Sequence, residues 1–143
     1  MQLFWVFATC RATKVVELNS DNWGQFIDQR ERNEVWIVMF YSPSAPACDP
    51  VLPVFANAAR KGDGLVNFGQ VNVESQEYIR IQYSITMVPA FTIFHSNGTT
   101  QYSGKRSERA LLAAAAKHIP DKSLPIDVSW SKMNADMAIL FRQ

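Results

Sequence analysis

The run Glu34-Val35-Trp36-Ile37-Val38-Met39-Phe40-Tyr41 is followed directly by Ser42-Pro43-Ser44-Ala45-Pro46-Ala47-Cys48. The first part is a continuous apolar run of strand length, which predicts a central strand covered on both faces. The second part carries two prolines and predicts a turn. Apolar residues then recur at helical spacing over residues 49–61, so a helix is expected directly after the turn.

The remaining predicted elements alternate around this stretch. Before it, a β-type run at 13–18 precedes Asn19-Ser20-Asp21, which supplies helix N-cap chemistry. After it, we predict strands at 65–73, 91–94 and 99–102, helices at 75–83 and 108–118, and a hairpin turn at Asn97-Gly98. The order β-α-β-α-β-α-β-β-α predicts an α/β fold with a mixed central sheet flanked by helices.

The composition is that of a globular protein and excludes several classes of function. The chain has 143 residues, enough for one domain and a short tail, and 48% of them are hydrophobic. Its net charge of +1 gives no reason to expect nucleic acid or an anionic membrane surface as a partner. The longest apolar runs, at 3–8 and 36–41, are too short for membrane insertion.

Cysteine and histidine usage predicts neither a metal site nor a cofactor site. Cys10 and Cys48 are too few for a disulfide scaffold, and no Cys/His group has the spacing of zinc ligands. His95 and His118 are isolated in the sequence, so we expect each to be exposed or to cap an element. No motif implies an organic cofactor.

The two ends of the chain differ from the middle. Residues 1–12 combine a short apolar core with small residues, without a basic start, and are either a signal peptide or an apolar extension. Residues 13–120 form the predicted domain. Residues 121–143 are typical of a linker followed by an apolar strand at 137–141, which is either the start of a truncated further domain or a docked tail.

Three motifs give the chain a family resemblance. Residues 40–48, followed by Pro53, resemble the active-site segment of the protein disulfide isomerases, in which Phe-Tyr-Ala-Pro precedes Trp-Cys-Gly-His-Cys. Residues 83–89 resemble that family's Tyr-x-Ile-x-x-x-Pro segment, and residues 102–106 resemble its Tyr-x-Gly-x-Arg. The resemblance covers residues 14–119 and implies a thioredoxin fold.

The resemblance fails at the residues that would carry redox chemistry. Ser44, Ala45, Pro46 and Ala47 stand where the family has Trp, the attacking cysteine, Gly and His, and Met39 stands where it has a buried acid. Dithiol exchange needs a second thiol to resolve the mixed disulfide, and within this motif only one cysteine remains. The degenerate site therefore predicts a module without dithiol oxidoreductase activity.

Cys48 leaves two alternatives open. If the helix begins at Asp49-Pro50, its dipole favours a thiolate at Cys48, although the charge of Asp49 opposes one. Arg106 matches a family arginine that approaches the second cysteine, and it would also favour a thiolate. Cys48 is then either a monothiol exchange catalyst that uses an external thiol such as glutathione, or a buried and unreactive thiol.

The resemblance also implies a binding surface that needs no thiol. Pro89 matches the cis-proline of the family, and the backbone beside it at Val88 can bind an extended peptide by its edge. Tyr41, together with Ser44 and Pro46, is expected at the rim of this surface. The expected function is therefore the binding of unfolded polypeptide or of a partner protein.

One modification motif lies outside these segments. Asn97-Gly98-Thr99 is an acceptor sequence for N-glycosylation, placed in the predicted hairpin turn. Such a site is used in the secretory pathway, which agrees with residues 1–12 acting as a signal peptide. The expected location is then the lumen of the endoplasmic reticulum, and it is the cytoplasm if residues 1–12 have another role.

Overall fold

Five strands and three α-helices follow the predicted order in the computed structural model, which describes residues 15–120. The predictions for residues 1–12 and 121–143, and Cys10, lie outside the described residues. The strands are β1 (Val15–Leu18), β2 (Trp36–Tyr41), β3 (Asn67–Asn72), β4 (Ala90–His95) and β5 (Gly98–Tyr102). The α-helices are α1 (Val51–Lys61), α2 (Glu77–Gln82) and α3 (Glu108–Ala116), and a π-helical turn (Gly24–Asp28) and a 3-10 turn (Pro46–Cys48) complete the list.

The strands form one mixed sheet in the order β1-β3-β2-β4-β5. β1, β3 and β2 are parallel, whereas β4 runs antiparallel to β2 and β5 antiparallel to β4. Tyr41 pairs with Asn72 of β3, and Phe40 pairs with Ala90 of β4. The end of β2 therefore lies between the end of β3 and the start of β4. The predicted α/β fold with a mixed central sheet is confirmed.

Side chains of β2 alternate between two core layers. Ile37 and Met39 pack with residues of α1 and α3, whereas Val38 and Phe40 pack on the opposite face with residues of the π-helical turn and α2. All four are fully buried. Full burial of each such side chain contributes roughly 1.5–3 kcal/mol, as an upper estimate. A strand covered on both faces explains why its sequence is apolar throughout.

The helix expected after Asn19 is a π-helical turn. The Asn19 side chain accepts hydrogen bonds from the backbone N–H groups of Asp21 (2.8 Å) and Asn22 (3.1 Å), which stabilises the preceding turn, whereas the N-cap of the helical segment is Trp23 and no side chain caps it. The turn closes with the Gln29 N–H on the Gly24 carbonyl at 2.9 Å. Glycine disfavours the regular α-helix, and the short, wide turn suffices to bury Ile27 within it.

The structure corrects the expectation for both histidines. His95 is buried, with 8% of its surface exposed, and its ring stacks on that of His118 at a centroid distance of 4.1 Å and an angle of 4°. The His95 Nδ1 accepts the backbone N–H of Asn97 at 3.2 Å, and its Nε2 lies 2.8 Å from the Thr100 hydroxyl. The two rings meet because the end of β4 lies beside the segment after α3, which their distance in sequence hides.

Candidate functional site

One end of the sheet gathers the residues that the sequence singled out. β2 ends at Tyr41 and continues into the loop at 42–50, while Val88 and Pro89 lie directly before β4. Because Phe40 and Ala90 are partners in the antiparallel ladder, the loop and the segment at 86–89 leave the sheet side by side. We call this the site end of the sheet. The opposite end, where β4 turns into β5 at residues 95–98, is the hairpin end.

Cys48 lies at the end of the 3-10 turn and is fully buried. Its backbone N–H donates to the Ala45 carbonyl at 3.0 Å, which closes the turn. The helix α1 begins at Val51, two residues later than predicted, with Pro50 at the N-cap, and Cys48 therefore lies before α1 in a separate turn. Pro46 starts a separate turn, since proline suits a first helical position, and that turn places the sulfur in the interior.

The other degenerate positions divide between surface and core. Ser44, Pro46 and Ala47 are exposed, and Ala45 is half-buried. Met39 is fully buried in the layer between the sheet and helices α1 and α3. The surface of this loop therefore presents hydroxyl, methyl and proline ring groups to solvent, and the position beneath it holds a thioether that cannot accept a proton from a thiol at any ordinary pH.

A carboxylate that the sequence analysis missed fixes the loop to its neighbour. Glu74 accepts hydrogen bonds from the Ser42 hydroxyl and, at 3.0 Å, from the backbone N–H of Ser44. The Ser42 hydroxyl, followed by the groups of Ser44, lowers the pKa of the Glu74 carboxyl. Glu74 comes two residues after β3. The signal available in the sequence was that parallel neighbouring strands end at the same edge of a sheet.

Tyr41 is held at the rim by a second carboxylate. Its hydroxyl donates to Glu17 Oε2 at 2.9 Å, and the other oxygen of Glu17 accepts from the Gln70 amide at 2.7 Å. Burial, followed by the bond to Glu17, raises the pKa of Tyr41 to about 12. The side chain is thus a neutral phenol throughout the physiological range, and its half-buried ring lies where the peptide surface was expected.

The segment before β4 combines free backbone groups with an exposed apolar side chain. The Val88–Pro89 peptide bond is cis, Pro89 is buried and Val88 is half-buried. Among residues 15–120, no hydrogen-bond partner is found for the backbone of Thr86, Met87 or Val88. Met87 is 78% exposed, and the sequence analysis did not select it. An extended peptide binds to such a segment through main-chain hydrogen bonds and a side-chain contact.

Comparison with known proteins decides the family. The family model described as Thioredoxin matches residues 14–117. The chain belongs to the thioredoxin family. The similarity extends to proteins named as disulfide isomerases: protein disulfide-isomerase like 2-2 of Arabidopsis thaliana is 29% identical over 116 residues, which are 80% of this chain and 26% of that protein.

Two further similarities of the thioredoxin-family chain are to much longer proteins. DnaJ homolog subfamily C member 10 of Mus musculus is 32% identical over 87 residues, which are 60% of this chain and 11% of that protein. A crystal structure of ERdj5 (form I) superposes with a TM-score of 0.74 at 24% identity, covering 83% of this chain and 17% of that one. The chain thus spans about a quarter or less of the length of these relatives, and the thioredoxin fold is confirmed.

Arg106 is the residue that the resemblance implied would approach Cys48. It is exposed in the loop before α3, and within the described range no hydrogen bond or ion pair joins it to Cys48. The chain turns into α3 at Ser107, whose hydroxyl accepts the Ala110 N–H at 3.2 Å. The expected role of Arg106 as a modulator of the thiol stays a prediction.

Two other findings concern metals and membranes. In the part of the chain that the structure describes, no group of three or more His, Cys, Asp or Glu side chains is placed to hold a metal ion. No helix between residues 15 and 120 is long and apolar enough to cross a bilayer.

Proposed function

We propose that this thioredoxin-family domain binds unfolded polypeptide or a partner protein at the site end, without dithiol exchange, in the lumen of the endoplasmic reticulum. One observation carries the proposal. The sulfur of Cys48 has no exposed surface, while the adjacent segment presents unpaired backbone groups at 86–88 and the exposed side chain of Met87. The site end thus retains what a peptide needs for binding and lacks what a disulfide needs for attack.

The absence of exchange follows from the order of chemical steps. A thiolate must first attack the substrate disulfide, and a second thiol must then resolve the mixed disulfide. Ala45 supplies no sulfur for the first step, and the buried Cys48 is inaccessible to a folded or extended substrate. Monothiol exchange with glutathione as the resolving thiol would require the Cys48 sulfur to reach solvent. Its burial favours the binding function over this alternative.

The proposed location in the endoplasmic reticulum is supported by the relatives and by the N-terminal sequence. The resemblance to protein disulfide isomerases supports the endoplasmic reticulum, because disulfide chemistry belongs to oxidising compartments. Residues 1–12 have an apolar core followed by small residues, which agrees with a secretory signal. In that lumen the ligands of the domain are polypeptides that still expose apolar side chains and unpaired backbone.

Binding is tested with a ligand that has no redox chemistry. The anisotropy of a fluorescent, reduced and carboxymethylated polypeptide is measured while the full chain is titrated in. The variant Met87→Asp should weaken binding about tenfold or more, because burying a methionine side chain contributes roughly 1.5–3 kcal/mol and 1.4 kcal/mol corresponds to a factor of ten. Ser96→Asp adds the same charge at an exposed position of the hairpin end and should leave the affinity unchanged. Equal effects of the two variants, or no binding by the unsubstituted chain, would reject the site.

The thiol is tested in the full chain carrying Cys10→Ser, so that Cys48 is its only cysteine. We expect alkylation in the folded state to be slower than in denaturant by a factor on the order of 10³ or more, because the sulfur reacts only through opening of the fold. Rapid alkylation of the folded chain, with insulin reduction by glutathione that Cys48→Ser abolishes, would establish the monothiol enzyme instead.

A further inference from the structure

We propose that Asn97 at the hairpin end is an N-glycosylation site and that its glycan leaves the site end free for polypeptide. The inference rests on the luminal location given above, and it concerns a different surface of the molecule. Asn97-Gly98-Thr99 is the only acceptor sequence of this type in the chain. Any N-linked glycan on these 143 residues is therefore attached at Asn97.

The structure presents the acceptor in a form that suits a transferase. Asn97 and Thr99 are both exposed, and the backbone N–H of Asn97 donates to His95 Nδ1 at 3.2 Å, which fixes the turn. The side-chain amide of Asn97 has no hydrogen-bond partner among residues 15–120, so the nitrogen to be modified is free. Gly98 has a φ of 123°, and this left-handed backbone keeps the turn tight without a side chain between Asn97 and Thr99.

The transfer of an oligosaccharide to Asn97 is chemically balanced when the donor is a lipid-linked oligosaccharide of the secretory pathway. The Asn97 Nδ2 forms a bond to the anomeric carbon of an oligosaccharide carried on a lipid pyrophosphate. The bond between that carbon and the pyrophosphate oxygen breaks, the amide loses one proton, and the lipid pyrophosphate leaves with the bonding electrons. No redox partner is needed, and the glycan is a bulky, hydrated surface group.

The position of Asn97 separates the glycan from the polypeptide site. β4 begins beside Pro89 at the site end and ends at His95, two residues before Asn97. The six residues of β4 are separated by five steps of about 3.4 Å, which gives about 17 Å along the strand alone. The glycan also projects beside β5, which is one of the two edge strands of the described sheet, and a hydrated group there hinders pairing with another chain.

The test uses the full chain produced in eukaryotic cells in two forms, one with its own N-terminus and one preceded by an established secretory signal. We expect both forms to migrate as a slower species that an N-glycosidase converts to the faster one. Asn97→Gln and Thr99→Ala should each remove the shift, and Thr99→Ser should retain it, because serine also completes the acceptor sequence.

The two forms distinguish failure of the site from failure of the location. If the form with the added signal shows no glycosidase-sensitive shift, Asn97 is not an acceptor and the inference is overturned, while the polypeptide-binding proposal stands. If only that form is modified, the acceptor is confirmed and the proposed luminal location of the native chain is wrong. A shift that survives Asn97→Gln would also overturn the assignment.

Discussion

His95 is a buried titratable side chain whose protonation state is defined by its hydrogen bonds. A backbone N–H can only donate, so His95 Nδ1 must be unprotonated to accept from Asn97, and Nε2 then carries the proton towards Thr100. Burial, followed by the charges of His118 and Arg30, lowers the pKa of His95 below its ordinary value of 6.5. Burial and then Lys117 lower the pKa of His118 as well.

The first residue-scale prediction is a loss of stability in mild acid. The unfolded chain binds protons at these histidines below about pH 6.5, whereas the folded chain resists protonation until a lower pH. Stability is therefore complete above about pH 6.5 and falls as the pH decreases from that value towards the folded pKa values. We expect the free energy of unfolding, measured by urea titration between about pH 8 and 5, to decrease across this window.

Substitutions of His95 and His118 test whether these two histidines cause the pH dependence of stability. His95→Gln keeps a hydrogen-bond acceptor and a donor without a titrating ring, and it should reduce the slope of stability against pH. His118→Gln should remove a further share, because the two rings are stacked. A slope that both variants leave unchanged would mean that other groups cause it. The carboxyls of Glu74 and Glu108, whose pKa values are lowered by hydrogen bonds, act below about pH 4.5 and therefore outside this window.

At the scale of elements, periodicity predicted β2 and α1 because both bury apolar side chains. The apolar run of β2 follows from its packing in both core layers, and the helical spacing in α1 follows from its packing in one of them. The start of α1 was predicted two residues too early because Asp49 and Pro50 suit both the end of a 3-10 turn and the start of a helix. A turn of three residues is too short to show a periodic pattern, so the burial of Cys48 could not be predicted from the sequence.

The turn at 45–48 predicts that residues 45 and 48 are close enough to form an intramolecular disulfide. Its i to i+3 hydrogen bond of 3.0 Å implies a Cα separation below about 7 Å between Ala45 and Cys48, within the range of about 4.4–6.8 Å that a disulfide requires. In the Cys10→Ser background, Ala45→Cys should therefore form an intramolecular disulfide under mild oxidation. Intact mass should fall by two hydrogens without any dimer, and Cys10→Ser alone should show no change. Oxidation that yields only intermolecular dimers would contradict the turn geometry.

At the scale of the whole molecule, the sequence predicted which residues lie together at the site end of the sheet, but it did not predict their side-chain contacts. Tyr41, Val88 and Pro89 lie at one end of the sheet as the resemblance implied, because strand order and direction determine which ends meet. The bonds of Ser42 and Ser44 to Glu74 and the stack of His95 on His118 depend on side-chain positions in elements far apart in sequence. No local pattern encodes such pairs, so they were missed or wrongly predicted.

The separation of the two ends of the sheet gives the last prediction, which rests on both proposals. A chain glycosylated at Asn97 should bind the carboxymethylated polypeptide with the same affinity as the enzymatically deglycosylated chain, because the glycan lies at the hairpin end. The matched control moves the glycan: Ser84→Asn in the Asn97→Gln background creates an acceptor sequence with Ile85 and Thr86.

Ser84 is a suitable position for this control because it is exposed and already has a φ of 56°, a conformation that asparagine tolerates well. It lies two residues before the unpaired backbone at 86–88, so a glycan there should block access and weaken binding about tenfold or more, with recovery after deglycosylation. If the glycan at Asn97 weakens binding as much as the displaced one, the polypeptide extends to the hairpin end and the two surfaces are not separate. If neither glycan matters, the polypeptide does not bind at residues 86–88.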